Sequence, residues 1–67
     1  MAKRIFLAYP ETKIIGGKRY HKANDTFATE KQALVMSERF HTDGYNARVV
    51  HIAGAGYAVY FRGLGYR

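Results

Sequence analysis

The chain predicts an α+β fold: a small antiparallel sheet with one helix packed on one face, in the order β-(β)-β-α-β-β. Three observations carry that prediction. The stretch from Glu30 to about Thr42 has helical composition and lies between a capping signal and a glycine stop. The segments on either side of it are rich in β-branched and aromatic residues. Gly16-Gly17 and Gly54-x-Gly56 fall where hairpin turns are needed.

In chain order, Ile5 to Tyr9 is a short apolar run closed by Pro10, which cannot donate to a ladder, so Lys3 to Tyr9 reads as a first strand. Thr12 to Ile15, Gly16-Gly17 and Lys18 to Lys22 read as a hairpin, the glycines supplying the positive φ of a tight primed turn. The same residues also allow a loop over 10–17, with only Lys18 to Ala23 pairing with the first strand. Asn24-Asp25 then punctuates the chain.

Thr29 followed by Gln32 fits a capping box, in which the threonine oxygen accepts an orphan backbone N–H. The helix that follows places Ala33, Met36, Ser37 and Phe40 on one stripe, with Leu34 at its flank. Asp43-Gly44 ends it, the glycine taking the left-handed position. Tyr45 to Ile52 and Tyr57 to Arg62 read as two strands joined by Ala53-Gly54-Ala55-Gly56. In the last strand Tyr57, Val59 and Phe61 face one way, and Ala58, Tyr60 and Arg62 the other. Gly63 to Arg67 reads as a loose tail. Phe6, Phe27, Phe40 and Phe61, joined by Tyr57, are the expected core.

Sixty-seven residues make one domain, so 1–67 is a single small basic unit. A chain of this length buries only about 60% of the surface its unfolded form exposes, which predicts modest stability. There is no cysteine, which excludes disulfides and thiolate zinc sites. The apolar stretch near the N-terminus is too short for the core of a signal peptide. No run approaches the roughly 20 apolar residues that span a bilayer. The expectation is a soluble, cytoplasmic protein with no membrane partner.

Charge is the most informative property. Eleven Lys and Arg stand against five Asp and Glu, a net charge of +6. Residues 1–23 hold six basic side chains and one acidic; residues 24–44 hold two basic and four acidic; residues 45–67 hold three basic and none acidic. The sheet is therefore basic and the helix mildly acidic. A helix that covers one sheet face sends strand cations to the other face or to the edges. That predicts a basic, aromatic surface of Lys18, Arg19, Tyr20, Lys22, Arg48, Tyr60 and Arg62. Cations there would neutralise phosphates, and tyrosine rings would stack on bases. The plainer explanation is that strand Lys and Arg keep sheet edges soluble.

Gly17-Lys18-Arg19-Tyr20-x-Lys22, then Thr26-Phe27-x-Thr29 and Ala33, resembles the N-terminal arm-type DNA-binding domains of phage integrases over about residues 3–42. The resemblance implies a three-stranded sheet followed by a helix, with Lys18, Arg19, Tyr20 and Lys22 on or beside DNA-facing strands. The two strands after the helix depart from that pattern. A competing resemblance, to peptidoglycan-binding SPOR domains, rests on Ala33, Leu34, Gly44-Tyr45-x-Ala47-x-Val49 and Tyr57-x-Val59. It implies a helix, a Gly-Tyr turn and a hairpin, but the second half of that fold's repeat is missing.

Catalytic chemistry finds little support. His21, His41 and His51 lack close metal-ligand spacing. Ser37 is the only serine and lies inside the helix, where a small packing residue fits better than a nucleophile. Glu11, Asp25, Glu30, Glu38 and Asp43 fall in a loop, at caps and on the helix surface, and Glu30 is accounted for by the helix N-terminus. Gly54-x-Gly56 lacks a third glycine and precedes a strand, unlike a dinucleotide fingerprint. Asn24-Asp25-Thr26 matches a glycosylation pattern by coincidence. The sequence thus favours a non-enzymatic module without cofactor or metal that binds nucleic acid. An interaction module or small inhibitor meeting an acidic protein surface is the alternative. A homodimer formed by edge pairing of strand 57–62 is the third reading.

Overall fold

The computed structural model describes residues 11–63. The expected first strand, Lys3 to Tyr9, with Phe6, lies outside those residues, as does the tail beyond Gly63. The described chain runs β1 (Thr12–Ile15), β2 (Lys18–Phe27), α1 (Glu30–Thr42), β3 (Tyr45–Ile52) and β4 (Gly56–Gly63). The four strands form one antiparallel sheet in the order β1-β2-β4-β3. The α+β fold read from the sequence is the fold of the protein.

β1 and β2 form the hairpin. Ile15 pairs with Lys18 across Gly16 and Gly17, whose φ values of 59° and 82° are those a primed two-residue turn requires. The loop alternative for residues 10–17 therefore falls. Asn24-Asp25 does not end the strand as expected. β2 continues to Phe27 and absorbs these residues as an irregularity: Lys22 pairs with Tyr60, but Thr26 already pairs with Ala58. Two extra residues on β2 bulge out of the ladder, and pairing with β4 resumes beyond them.

The helix begins where the capping signal places it. Thr29 has extended backbone, and its Oγ1 accepts the Gln32 N–H at 3.3 Å. At the other end Asp43 N–H donates to Arg39 and Phe40 carbonyls, and Gly44 N–H donates to the His41 carbonyl. Gly44 has φ 92°, closing the helix in the left-handed region. The stripe is as spaced: Ala33 and Ser37 are buried, and Met36 and Phe40 half-buried. Ser37 Oγ donates to the Leu34 carbonyl at 3.0 Å, so its hydroxyl is satisfied inside the packed face.

The helix packs mainly on β3 and β4 and only marginally on β2. Between helix and sheet lie Ala23, Ala33, Ala47, Val59 and Phe61, with Phe27, Met36, Phe40, Tyr45, Val49 and Tyr57 around them. Of the phenylalanines expected in the core, Phe61 is fully buried while Phe27 and Phe40 are half-buried. His41 ties the helix end to β3, its Nε2 lying 3.3 Å from both the Ala47 nitrogen and the Ala47 carbonyl oxygen.

β4 sits between β2 and β3, both of its backbone edges engaged. This overturns homodimerisation by edge pairing of strand 57–62. Consecutive strands often neighbour each other, but here the second hairpin inserts β4 beside β2, leaving β1 and β3 at the outside of the described sheet.

Candidate functional site

Strand alternation and cross-strand register together decide which side chains share the face turned away from the helix. On β2, Lys18, Tyr20 and Lys22 alternate with Arg19, His21 and Ala23, and Ala23 lies under the helix. On β4, Ala58, Tyr60 and Arg62 face away, opposite to Val59 and Phe61, as the sequence predicts. Register then carries Asn46 and Arg48 of β3 to that face as partners of Arg62 and Tyr60. The same logic carries Lys13 of β1 there as the partner of Tyr20.

Six of the seven residues predicted from sequence share this face: Lys18, Tyr20, Lys22, Arg48, Tyr60 and Arg62. Arg19 does not. It pairs with Ile14 and points to the helix side of the sheet. Lys13 and Asn46 were not singled out from sequence. The signal for Lys13 was present, since a two-residue turn at Gly16-Gly17 sets Lys13 opposite Tyr20. Asn46 depends on the order of the strands and gave no local signal.

The tyrosines require a correction. Tyr20 is 2% exposed and Tyr60 is 5% exposed. With Ala58 they form a second buried cluster, against which Ile15, Val50 and Ile52 pack. Neither ring can offer its face to a base, so stacking is not available to them. The physical reason is position. Both residues lie on the two central strands, where Ile15, Val50 and Ile52 pack against them.

What remains exposed is charge. Lys13, Lys18 and Arg48 are exposed, and Lys22 and Arg62 are half-buried. The ammonium of Lys22 donates to the Ala23 carbonyl at 3.4 Å. The guanidinium carbon of Arg62 lies 6.0 Å from the Tyr20 ring centroid, a cation–π distance. Asn46 Nδ2 donates to the Tyr20 hydroxyl at 3.4 Å. The register also places one carboxylate here. Glu11, whose backbone carbonyl accepts the Lys22 N–H at 2.9 Å, continues the β1 ladder opposite Lys22. The Tyr60 phenol is held above its ordinary pKa, chiefly by burial and secondarily by the negative charge of Glu11.

Neighbouring strands lie about 4.8 Å apart and alternate residues along a strand about 7 Å apart. Lys22, Arg48 and Arg62 therefore stand on adjacent rows of adjacent strands, around Tyr60. Among the described residues no group of three or more His, Asp or Glu is arranged to hold a metal ion. A shallow hollow lined by Met36, Arg39, Phe40 and Asp43 opens at the end of the helix, away from this face.

The class of protein defined by this architecture is a small α+β domain with a cation-bearing sheet face. No protein-family model, curated protein or solved structure matches the chain.

Proposed function

We propose that the protein is a non-enzymatic nucleic-acid-binding module that grips the phosphate backbone with the sheet face opposite its helix. The observation that carries this reading is the convergence of Lys13, Lys18, Lys22, Arg48 and Arg62 on one side of one sheet. Five cations, with the Glu11 carboxylate among them, form a field that attracts a polyanion and gains from counterion release. The acidic side chains of the helix are segregated to the opposite side of the sheet. The resemblance of residues 3–42 to integrase arm-type domains points the same way.

The buried rings shape the mode of binding. With Tyr20 and Tyr60 covered, the groups on offer are cations, which contact phosphates and carry no sequence information. The expected behaviour is sequence-independent and strongly salt-dependent. The reading includes a cytoplasmic location, and no helix among the described residues is long and apolar enough to cross a membrane.

The test is a salt titration of binding to random duplex and single-stranded DNA. Engagement of three or more phosphates gives a log–log slope of about −3 or steeper on duplex. Absence of binding to either form even in very low salt would end the proposal. Capture of one acidic protein partner, with no affinity for DNA, would replace it with an interaction module.

A further inference from the structure

The five cations of the face turned away from the helix are not equivalent, and Arg62 differs from the rest. It stands on β4, a central strand, as Lys22 does on β2, whereas Lys13 and Arg48 stand on β1 and β3. Unlike Lys22, it is an arginine whose guanidinium lies over an aromatic ring. Lys18 sits at the hairpin turn. Arg62 is half-buried, and its guanidinium is held over the ring of a tyrosine that is itself buried. That tyrosine is in turn fixed at its hydroxyl by Asn46, the cross-strand partner of Arg62. Ring, amide and guanidinium thus form one connected unit across β2, β3 and β4.

A half-buried guanidinium within cation–π range of a buried ring has fewer rotamers open to it before a ligand arrives. A free lysine must surrender that freedom on binding. The ring satisfies the cation electrostatically but accepts none of its N–H groups, which stay available for a planar, bidentate contact with a phosphate. No carboxylate forms an ion pair with Arg62 among the described residues. Lys22 and Arg48, one row away on the neighbouring strands, flank the place such a phosphate would occupy.

We infer that Arg62 is the anchoring phosphate contact of this face, and that Tyr20 and Asn46 are positioning residues acting through it. The inference rests on the nucleic-acid reading and adds to it a ranking of the cations and a reason for the buried phenol.

The experiment uses the full chain and fluorescence anisotropy with a labelled random duplex of about 20 base pairs across a salt series. Arg62→Gln is expected to weaken binding about tenfold, and Lys18→Gln about threefold. Tyr20→Leu keeps every cation; it should weaken binding about two- to fivefold and leave the salt slope unchanged. Tyr20→Phe retains the ring but loses the Asn46 hydrogen bond, and should weaken binding less than Tyr20→Leu. In the Tyr20→Leu background, Arg62→Gln should cost no more than Lys18→Gln.

Circular dichroism establishes that each variant is folded. Should Tyr20→Leu fail to fold, Asn46→Ala, which frees the phenol, serves as the positioning variant and is expected to lower affinity at constant slope. Equal losses for Arg62→Gln and Lys18→Gln would overturn the inference while leaving the nucleic-acid reading intact. No duplex binding by the unaltered protein would remove both.

Discussion

Phe40 of the helix stacks on Phe61 of β4, ring centroids 4.4 Å apart and planes within 13° of parallel. Tyr45 meets both rings edge-on, at 5.8 Å and 5.5 Å. This three-ring cluster joins the helix, the first residue of β3 and the centre of the sheet, so it is where helix and sheet are locked together. Phe61→Ala removes a fully buried ring and should cost about 3–5 kcal/mol. For a domain of this size that is most of the stability, and urea denaturation followed by circular dichroism should show little or no folded baseline. Phe61→Leu should leave a measurable transition at a lower midpoint.

Gly54 of the β3–β4 turn and Gly56, the first residue of β4, are predicted to differ in tolerance. Gly54 has φ 78° with open space where a Cβ would go, so Gly54→Ala should cost about 1–2 kcal/mol from backbone strain alone. Gly56 has φ 91°, and a Cβ there would collide with the Phe27 carbonyl oxygen. Gly56→Ala should therefore cost about 1–3 kcal/mol more, because backbone must shift to relieve the clash. Equal denaturation midpoints for the two variants would contradict this account of the close β2–β4 approach.

Helix capping can be tested at Thr29. Its hydroxyl accepts the Gln32 N–H from an exposed position, so Thr29→Ala should destabilise the fold by about 1 kcal/mol. Thr29→Ser should restore most of it. Thermal melts of the three proteins would check the ordering.

Alkaline pH should weaken the fold through Tyr60. Its pKa is raised above the ordinary 10.0 by burial and by Glu11. The folded state therefore favours the protonated phenol. That contribution is whole below pH 10 and fades as pH climbs through the higher folded value. Phenolate absorbance should show Tyr60 titrating late, and Tyr60→Phe should remove both that step and part of the alkaline loss of stability. Glu11→Gln should lower the late step and, by removing the Glu11 carboxylate from the basic face, tighten DNA binding about two- to threefold.

Charge reversal separates the two sides of the sheet. Lys18→Glu with Arg62→Glu should weaken DNA binding across all sequences and flatten the salt slope by about two or more. Arg19→Glu, on the helix side, should change affinity much less. If Arg19→Glu were as damaging as the double reversal, the binding surface would lie elsewhere.

Much of this protein was decided locally. The helix starts at a threonine that can cap it and stops at a glycine that can turn left-handed. The first hairpin follows from two glycines between β-formers, and the period-two pattern of Tyr57 to Arg62 assigns both faces of the last strand. Each of these signals spans a few residues, so the sequence carries it whole. The order of the strands was not written locally. Pairing β2 with β4 joins residues far apart in the chain, and it alone puts β4 in the interior, denies it an edge and brings Asn46 to Tyr20. Nor could local pattern reveal that Asn24-Asp25 bulges out of a continuing strand, since a bulge exists only relative to a partner. The fate of the tyrosines was decided the same way: alternation sends Tyr20 and Tyr60 to the basic face, but only residues brought from other strands, Ile15, Val50 and Ile52 among them, bury them there.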